Sequence, residues 1–570
     1  MLDDLKTFER VADEAIGRLP LLQLPARAVL AGLHWVVFLG RHGRQLGGTA
    51  EPAVGEAIMT RIGHSLPLLC RLPAEPYGES ADNAIGAFRE VDPDGAQLMQ
   101  LLTYLHFSEF MPEAHRGHFV VERSGAGFRL LHRDEPFAEA QARDITLSEL
   151  AIPFPLEEAA RIEPEFARLA QTSPEVDWGF VARFMHDNAH KYMTGIAEAD
   201  LVTDVSINHM FGFGRDRYLG IRAALLALAE FCEKLATTIH AMVMAGAMAE
   251  DRFGEGLEWA SVNLNADFVI GLVSAVSGAH VDEVERFLEL YTVDFRATPP
   301  RHWGGDRFFP PFARFEQGYL FSPSLVLAFL QVRNAIYAFS KKEQRTFDRD
   351  VSRDLEPVLL RQVGELLRRD GWIAVEDVPF PGGQLDLLVG SLDHDGVLLV
   401  QAKGNLPPQG ARLTEQLAGR VREGVRQIER FAALAPADQD AVIAKALGRR
   451  ATRFDVRHAL LVRSCFGAPE VMGDDFPHVR ITLPMLALAL ELHRREGMPT
   501  IMPALIEAVA RSYAETLQAT EPSWEEGDVT LNGTRLTIPL LKRRDGSLEA
   551  LRRRSWAART DEEPLPDASA

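Results

Sequence analysis

A chain of 570 residues exceeds one ordinary hydrophobic core, so two or three domains are expected, and its apolar (46%) and charged (25%) fractions are those of a globular protein. The formal net charge of −20 argues against a nucleic-acid coat or a polybasic membrane anchor. The acidic excess is uneven: from Val351 to Leu460 fifteen Lys and Arg balance fifteen Asp and Glu, so the negative charge lies elsewhere. Three widely spaced cysteines, Cys70, Cys232 and Cys465, point to reduced thiols rather than a disulfide framework or a zinc site. The opening Met1-Leu2-Asp3-Asp4-Leu5-Lys6 lacks the basic and apolar runs of a signal peptide. The apolar stretch Ile221–Met248 contains Glu230, Glu233 and Lys234, which suits a buried helix rather than a membrane span. A cytoplasmic protein is expected.

In chain order, apolar residues at helical spacing predict helices over Phe8–Leu19 and Ala26–Leu39, with breaks near Gly47-Gly48 and Pro73–Tyr77. Two β-rich runs flanking Ser124-Gly125-Ala126-Gly127 predict a hairpin within 117–132. Residues 155–345 read as helical again, including Leu156–Leu169 interrupted at Pro164, Trp178–Thr194, Arg217–Met248, Val281–Tyr291 and Pro323–Phe339. His186 and His190 share a helical face, but no third ligand is signalled and a surface pair is the preferred reading. The Gly-x-Gly of Gly212-Phe213-Gly214 follows no clear strand and reads as a loop. Arg301–Phe315 reads as a structured loop, and Lys341-Lys342-Glu343-Gln344-Arg345 as a linker. The first region, 1–345, is therefore expected to be a mainly helical domain whose role its residues do not reveal.

The chemistry is concentrated beyond it. Gly383–Val389 and Val397–Lys403 read as adjacent strands joined across an Asp-Gly turn. Asp386 interrupts the first, while Gln401 and Lys403 stand two apart on the second and so face one side of the sheet. A carboxylate, an amide oxygen and an ammonium can converge there, and oxygen ligands of this sort suit Mg²⁺ (or Mn²⁺). Lys403 would then orient the attacking water or stabilise charge on a phosphate. The plainer alternative is that Asp386 faces solvent at an edge and that Gln401 and Lys403 merely end a buried strand.

Asp386 with Gln401-Ala402-Lys403 resembles the PD-(D/E)XK, or restriction-endonuclease-like, nuclease superfamily, with Gln in place of the acid as in its Mrr-type QxK branch; the resemblance covers about residues 350–495. It implies that the preceding helix, from Asp354 to Leu367, supplies a further metal ligand, Glu356, with Glu365 as the fallback. It also implies a Mg²⁺-dependent DNA endonuclease with Asp386, Gln401, Lys403 and Glu356 at the catalytic site, and a role in restriction or defence against foreign DNA. A catalytically inactive nuclease fold serving as a binding or interaction module is the alternative, because a neutral amide holds a cation less firmly than a carboxylate. RNA cleavage is a third, weaker reading.

After the two-proline loop Gly404–Gly410, a helix over Leu413–Leu434 carries the apolar stripe Leu413, Leu417, Val421, Val425, Ile428 and Phe431. Arg422, Arg426 and Arg430 form a second stripe, read either as a phosphate-contacting edge or as a solvated charged face. Gln427 with Phe431 repeats the spacing of the Gln-xxx-Tyr feature of RecB-type members, with Phe in place of Tyr. Val456–Val462 and the short His478–Leu483 predict further strands before a helix at Pro484–Arg494, which suits an α-β-β-β-α-β order. The Asn-Gly turn at Asn532-Gly533 predicts a hairpin over Val529–Ile538. Lys542-Arg543-Arg544 and Arg552-Arg553-Arg554 read as nucleic-acid contacts or as solvated surface, and the tail from Thr560 as disordered. The expected fold class is thus a mainly α N-terminal region plus an α/β C-terminal restriction-endonuclease-like domain with a mixed central sheet. Its segments are 1–345, 346–500 for the nuclease-like domain and 501–570 for a C-terminal extension. DNA is the expected partner, no membrane partner is expected, and a homo-oligomeric state is left open.

Overall fold

A computed structural model describes residues 1–42, 81–151, 163–172, 176–194, 201–296, 310–316, 318–404, 406, 411–449, 453–544 and 547–560. The breaks near 47–48 and 73–77, Cys70, most of the 301–315 and 404–410 loops and the tail beyond 560 lie outside the described residues. The fold is mixed α/β and divides into two compact units, one formed by 1–112, 155–352 and 529–535, the other by 113–154, 353–528 and 536–570. These are not the consecutive segments 1–345, 346–500 and 501–570 expected from sequence. Among the described residues no helix is long and apolar enough to cross a membrane.

The first unit is organised around the helix Arg215–Met244, whose alanine- and leucine-rich face is buried. Gly212, with φ 75°, ends the preceding helix, and Gly214 opens this one, so the Gly-x-Gly is a pair of helix caps. Lys234 pairs with Glu163 and Glu230, while buried Glu233 accepts hydrogen bonds from His42 and Ser324 and lies near Arg41. A four-stranded sheet ordered Val262–Asn265, Gly318–Phe321, Phe312–Phe315 and Thr292–Asp294 adds strands that the helix-and-loop reading of 155–345 did not contain. Runs of three or four residues are too short for a period-two pattern to emerge. Leu330 and Gln331 also divide the expected helix Pro323–Phe339 into Pro323–Phe329 and Val332–Lys342. Helices Val332–Lys342 and Gln344–Thr346 take up all but Glu343 of the 341–345 segment expected as a linker, and helical turns continue to Asp354. His186, exposed and beside Asp187, lies on the helix Trp178–Thr194 with His190.

In the second unit, helix α1 (Leu355–Arg369) precedes strands β1 (Ile373–Phe380), β2 (Gly383–Gly390) and β3 (Gly396–Lys403). Helices α2 (Ala411–Ala432) and α3 (Pro436–Leu447) lead to strand β4 (Asp455–Val462). Strand β5 (Val479–Thr482) and helices α4 (Leu483–Arg495) and α5 (Met502–Thr520) follow. The sheet order is β5-β4-β3-β2-β1; the β1–β2 and β2–β3 pairs are antiparallel, whereas the β3–β4 and β4–β5 pairs are parallel. Both faces are covered, which is why the strands read as near-continuous apolar runs. Leu387, Val389, Leu398, Val400 and Leu461 pack on one face with Val363 of α1, Leu486 of α4 and Leu505 of α5. Leu388, Val397 and Leu399 pack on the other with Phe431 of α2 and Ile443 of α3.

The segment 113–154 belongs to this unit because its helix Glu135–Glu149 buries Ala140 and Leu147 among Leu417, Val421 and Leu460. Buried Asp144 accepts the N–H groups of Phe466 and Gly467, each at 2.8 Å, and so clamps the loop that follows β4. The expected hairpins form at Phe119–Ser124 with Gly127–His132 and at Ser523–Leu531 with Thr534–Lys542. Asn532 and Gly533 turn the second with φ of 50° and 75°, as a tight turn of that type requires. Much of the late basic cluster holds the unit together. Arg552 donates to the Glu149 carbonyl at 2.7 Å, Arg543 pairs with the Glu149 carboxylate, and Arg554 with Glu491.

Candidate active site

Asp386, Gln401, Lys403 and Glu356 meet at one end of this sheet. Asp386 has the same parity as Leu388, and Gln401 and Lys403 the same as Val397 and Leu399, so strand alternation puts all three on the face covered by α2. The β2–β3 register extends to Leu387 opposite Val400, just short of Asp386. There Asp386 Oδ2 accepts the Ala402 N–H at 2.7 Å and a hydrogen bond from Gln401 Nε2. Lys403 Nζ lies 3.9 Å from Asp386 Oδ2 and 3.8 Å from Glu356 Oε2. Glu356 stands in the first turn of α1, which places it at the end of β3.

Two glycines make this convergence fit. A Cβ on Gly404 would lie 2.3 Å from both the Cα and the N of Glu356, so the chain leaving β3 can approach the start of α1 only without a side chain. The Gly404 N–H then donates to Glu356 Oε2 at 3.3 Å. On α2, a Cβ on Gly424 would lie 3.2 Å from Lys403 Cε and 2.9 Å from Leu460 Cδ1, so the helix leaves a slot for the lysine stem. Gly404→Ala is expected to destabilise the protein by about 1–3 kcal/mol, because the obstruction is backbone and cannot rotate away. Gly419→Ala, at an α2 position with nothing within 4 Å of the added Cβ, is expected to stabilise it by about 0.5–1 kcal/mol. Urea unfolding of both variants checks this; equal stability of Gly404→Ala and the parent would remove the steric argument.

Burial pushes the Asp386 carboxyl up to about 7, with Glu356 and Asp377 adding to the rise and Lys403 and the Ala402 N–H opposing it. Asp386 is 8% exposed, and Gln401, 1% exposed, has an Oε1 with no hydrogen-bond partner among the described residues. A buried acceptor without a donor beside two carboxylates has the chemistry of a hard-cation site: Asp386, Glu356 and the Gln401 amide oxygen fit Mg²⁺, which commonly takes one or two protein carboxylates. Among the described residues no group of three or more His, Cys, Asp and Glu side chains forms a metal site, so a cation here would rest on this mixed set.

The other expected residues are placed differently. Arg426 is held by Glu423 at 2.6 Å, Arg430 reaches the same glutamate at 3.4 Å, and Arg422 lies between Glu470 and Glu415. All three are exposed, each beside an acidic partner. Gln427 has a buried, unpartnered Oε1, while Phe431 packs edge-on against Phe380 with ring centroids 5.2 Å apart. Glu365 is exposed, about two and a half turns beyond Glu356 on α1. Sequence reasoning passed over Asp377, a non-glycine residue at φ 56°, which accepts from Gln384 and whose charge raises the Asp386 carboxyl. It also passed over Arg420, which donates to the Gly404 carbonyl at 3.3 Å. An acidic residue inside the β-rich run at 377 was the available signal for the first; no sequence spacing marks the second.

Compared with protein-family models, with curated proteins and with solved structures, the chain matches none.

Proposed function

We propose that this protein is a Mg²⁺-dependent DNA endonuclease of the PD-(D/E)XK type, with Mn²⁺ as a substitute metal. The observation that carries the reading is the meeting of Lys403 Nζ with two carboxylates, 3.8 and 3.9 Å away, beside an unpartnered buried amide oxygen. The order α1, β1, β2, β3, α2, β4, with β4 parallel to β3, supports the same reading.

In this reading Asp386, Glu356 and Gln401 Oε1 would hold the cation, which would supply Lewis-acid polarisation of the phosphate and lower the pKa of water at the site. Lys403, fixed by the Gly424 slot and by both carboxylates, donates to a non-bridging phosphate oxygen as negative charge grows there, or orients the water. Water oxygen bonds to phosphorus, one P–O ester bond breaks, and the departing oxygen takes a proton. Glu356, 38% exposed at its side chain and bonded through Gly404 to the end of β3, faces the solvent side from which a substrate would arrive. Charge balance between 351 and 460, in a chain of net charge −20, gives a polyanion less repulsion here than elsewhere. A role in restriction or defence against foreign DNA accords with the Mrr-type likeness.

The purified protein, incubated with supercoiled plasmid, linear duplex, circular single-stranded DNA and RNA, is expected to nick and linearise the plasmid with Mg²⁺ or Mn²⁺ and to leave it intact in EDTA. Degradation of linear duplex alone would make it an exonuclease, and cleavage of RNA alone would change the substrate. No cleavage of any of them would favour the inactive binding module.

A further inference from the structure

We infer that Arg420, not the arginine stripe at 422, 426 and 430, is the side chain of α2 that grips the nucleic-acid backbone beside Lys403; the assignment rests on the nuclease reading. Arg420 and Gly424 stand four positions apart, so the two share a face of α2 one turn apart, and Gly424 is the residue against which the Lys403 stem lies. Arg420 NH1 donates to the Gly404 carbonyl at 3.3 Å, while the Gly404 N–H donates to Glu356 Oε2 at the same distance. A single residue's backbone thus separates the Arg420 guanidinium from the Glu356 carboxylate, and that residue directly follows Lys403.

Charge then distinguishes Arg420 from its neighbours on the helix. Arg422, Arg426 and Arg430 each lie within 3.6 Å of at least one glutamate, so contact with a phosphate would first have to break an existing pair. Arg420 is exposed, and its one polar partner among the described residues is a neutral carbonyl. A guanidinium has five N–H donors in a planar fork, so one shared with a carbonyl leaves the others for phosphate oxygens. The carbonyl contact fixes the fork at the end of β3 without neutralising it. The ligand class is a nucleic-acid phosphodiester, recognised through its charge and oxygens and not through its bases.

The test is fluorescence-anisotropy binding of a labelled DNA duplex to the full chain in EDTA over a range of salt concentrations, paired with kcat/KM for plasmid cleavage in Mg²⁺. The variants are Arg420→Gln, Arg420→Lys and Arg426→Gln, with thermal unfolding to confirm that each folds. Arg420→Gln is expected to weaken binding roughly tenfold near 0.1 M salt and to lower the slope of log K against log salt by about 0.9, one phosphate contact. Its kcat/KM should fall by a similar factor, with Arg420→Lys recovering part of the loss. Arg426→Gln, with the same change in net charge, is expected to stay within about twofold of wild type, in line with an arginine already paired. If wild type binds and cleaves while Arg420→Gln matches it, or Arg426→Gln loses as much, the assignment of Arg420 is overturned and the nuclease reading stands. If wild type neither binds nor cleaves DNA, the nuclease reading falls and takes this assignment with it.

Discussion

Lys403→Ala is expected to lower the single-turnover rate of plasmid cleavage by about a hundred- to a thousandfold, the scale seen when a preorganised donor to developing negative charge is removed. Its ammonium lies 3.9 Å from Asp386 and 3.8 Å from Glu356. Removing it also deletes the charge that holds the Asp386 carboxyl down against burial, so Asp386 keeps its proton to higher pH and binds a cation less readily. Lys403→Arg is not expected to restore activity. The slot at Gly424 already brings helix and lysine stem to within 3.2 Å of a built Cβ, and a planar guanidinium has a different shape and reach. Rates measured with enzyme in excess separate this loss from slow product release. Full activity in Lys403→Arg would mean that only the positive charge matters.

The second large effect concerns stability. In the unfolded chain Asp386 titrates near the ordinary value of 3.8, whereas in the fold it is held up to about 7. Between those values the folded protein keeps a proton that the unfolded chain has released, so raising the pH favours unfolding; the cost is absent below about 4 and complete above 7. At full size it is on the order of 4 kcal/mol. Asp386→Asn removes the titration, and a turn of the Gln401 amide would let its unpartnered Oε1 accept from the new side-chain N–H₂. In EDTA, Asp386→Asn is therefore expected to be more stable than wild type at pH 8, with the gap closing toward pH 4. Millimolar Mg²⁺ should narrow the gap at pH 8, because a cation that binds only the folded wild type stabilises it. Urea unfolding at pH 5 and pH 8, with and without Mg²⁺, measures this. Curves for the two proteins that stay parallel across pH would show that Asp386 is not held in an unfavourable charged state.

The site was legible because it depends on local periodicity. Two strands, a carboxylate inside one and a Gln-x-Lys ending the other place Asp386, Gln401 and Lys403 on one face by alternation alone. The Asn532-Gly533 hairpin was legible for a similar local reason. What was hidden depends on partners distant in sequence. Arg422 finds Glu470, 48 residues away, so nothing within the helix reveals that its charge is already matched on that side. The helix at 135–149 has an ordinary amphipathic pattern, and its membership of the second unit follows from Asp144 meeting Phe466 and Gly467 more than 320 residues later. Gly404 and Gly424 read as a loop glycine and a mild helix fault. Their function appears only when the Cβ they lack is placed against Glu356 and Lys403. The strands at 262–265, 292–294, 312–315 and 318–321 are too short to carry a pattern and are fixed by their pairing.

The central claim is that these four side chains hydrolyse phosphodiester bonds with a divalent cation, and one comparison tests it most directly. Wild type, Lys403→Ala and Asp386→Asn, purified identically and each confirmed folded by its unfolding curve, are incubated with supercoiled DNA and Mg²⁺ or Mn²⁺. Cleavage by wild type alone, abolished by EDTA, is the predicted result. Equal cleavage by all three would place the activity at another site or in a contaminant and would contradict the account.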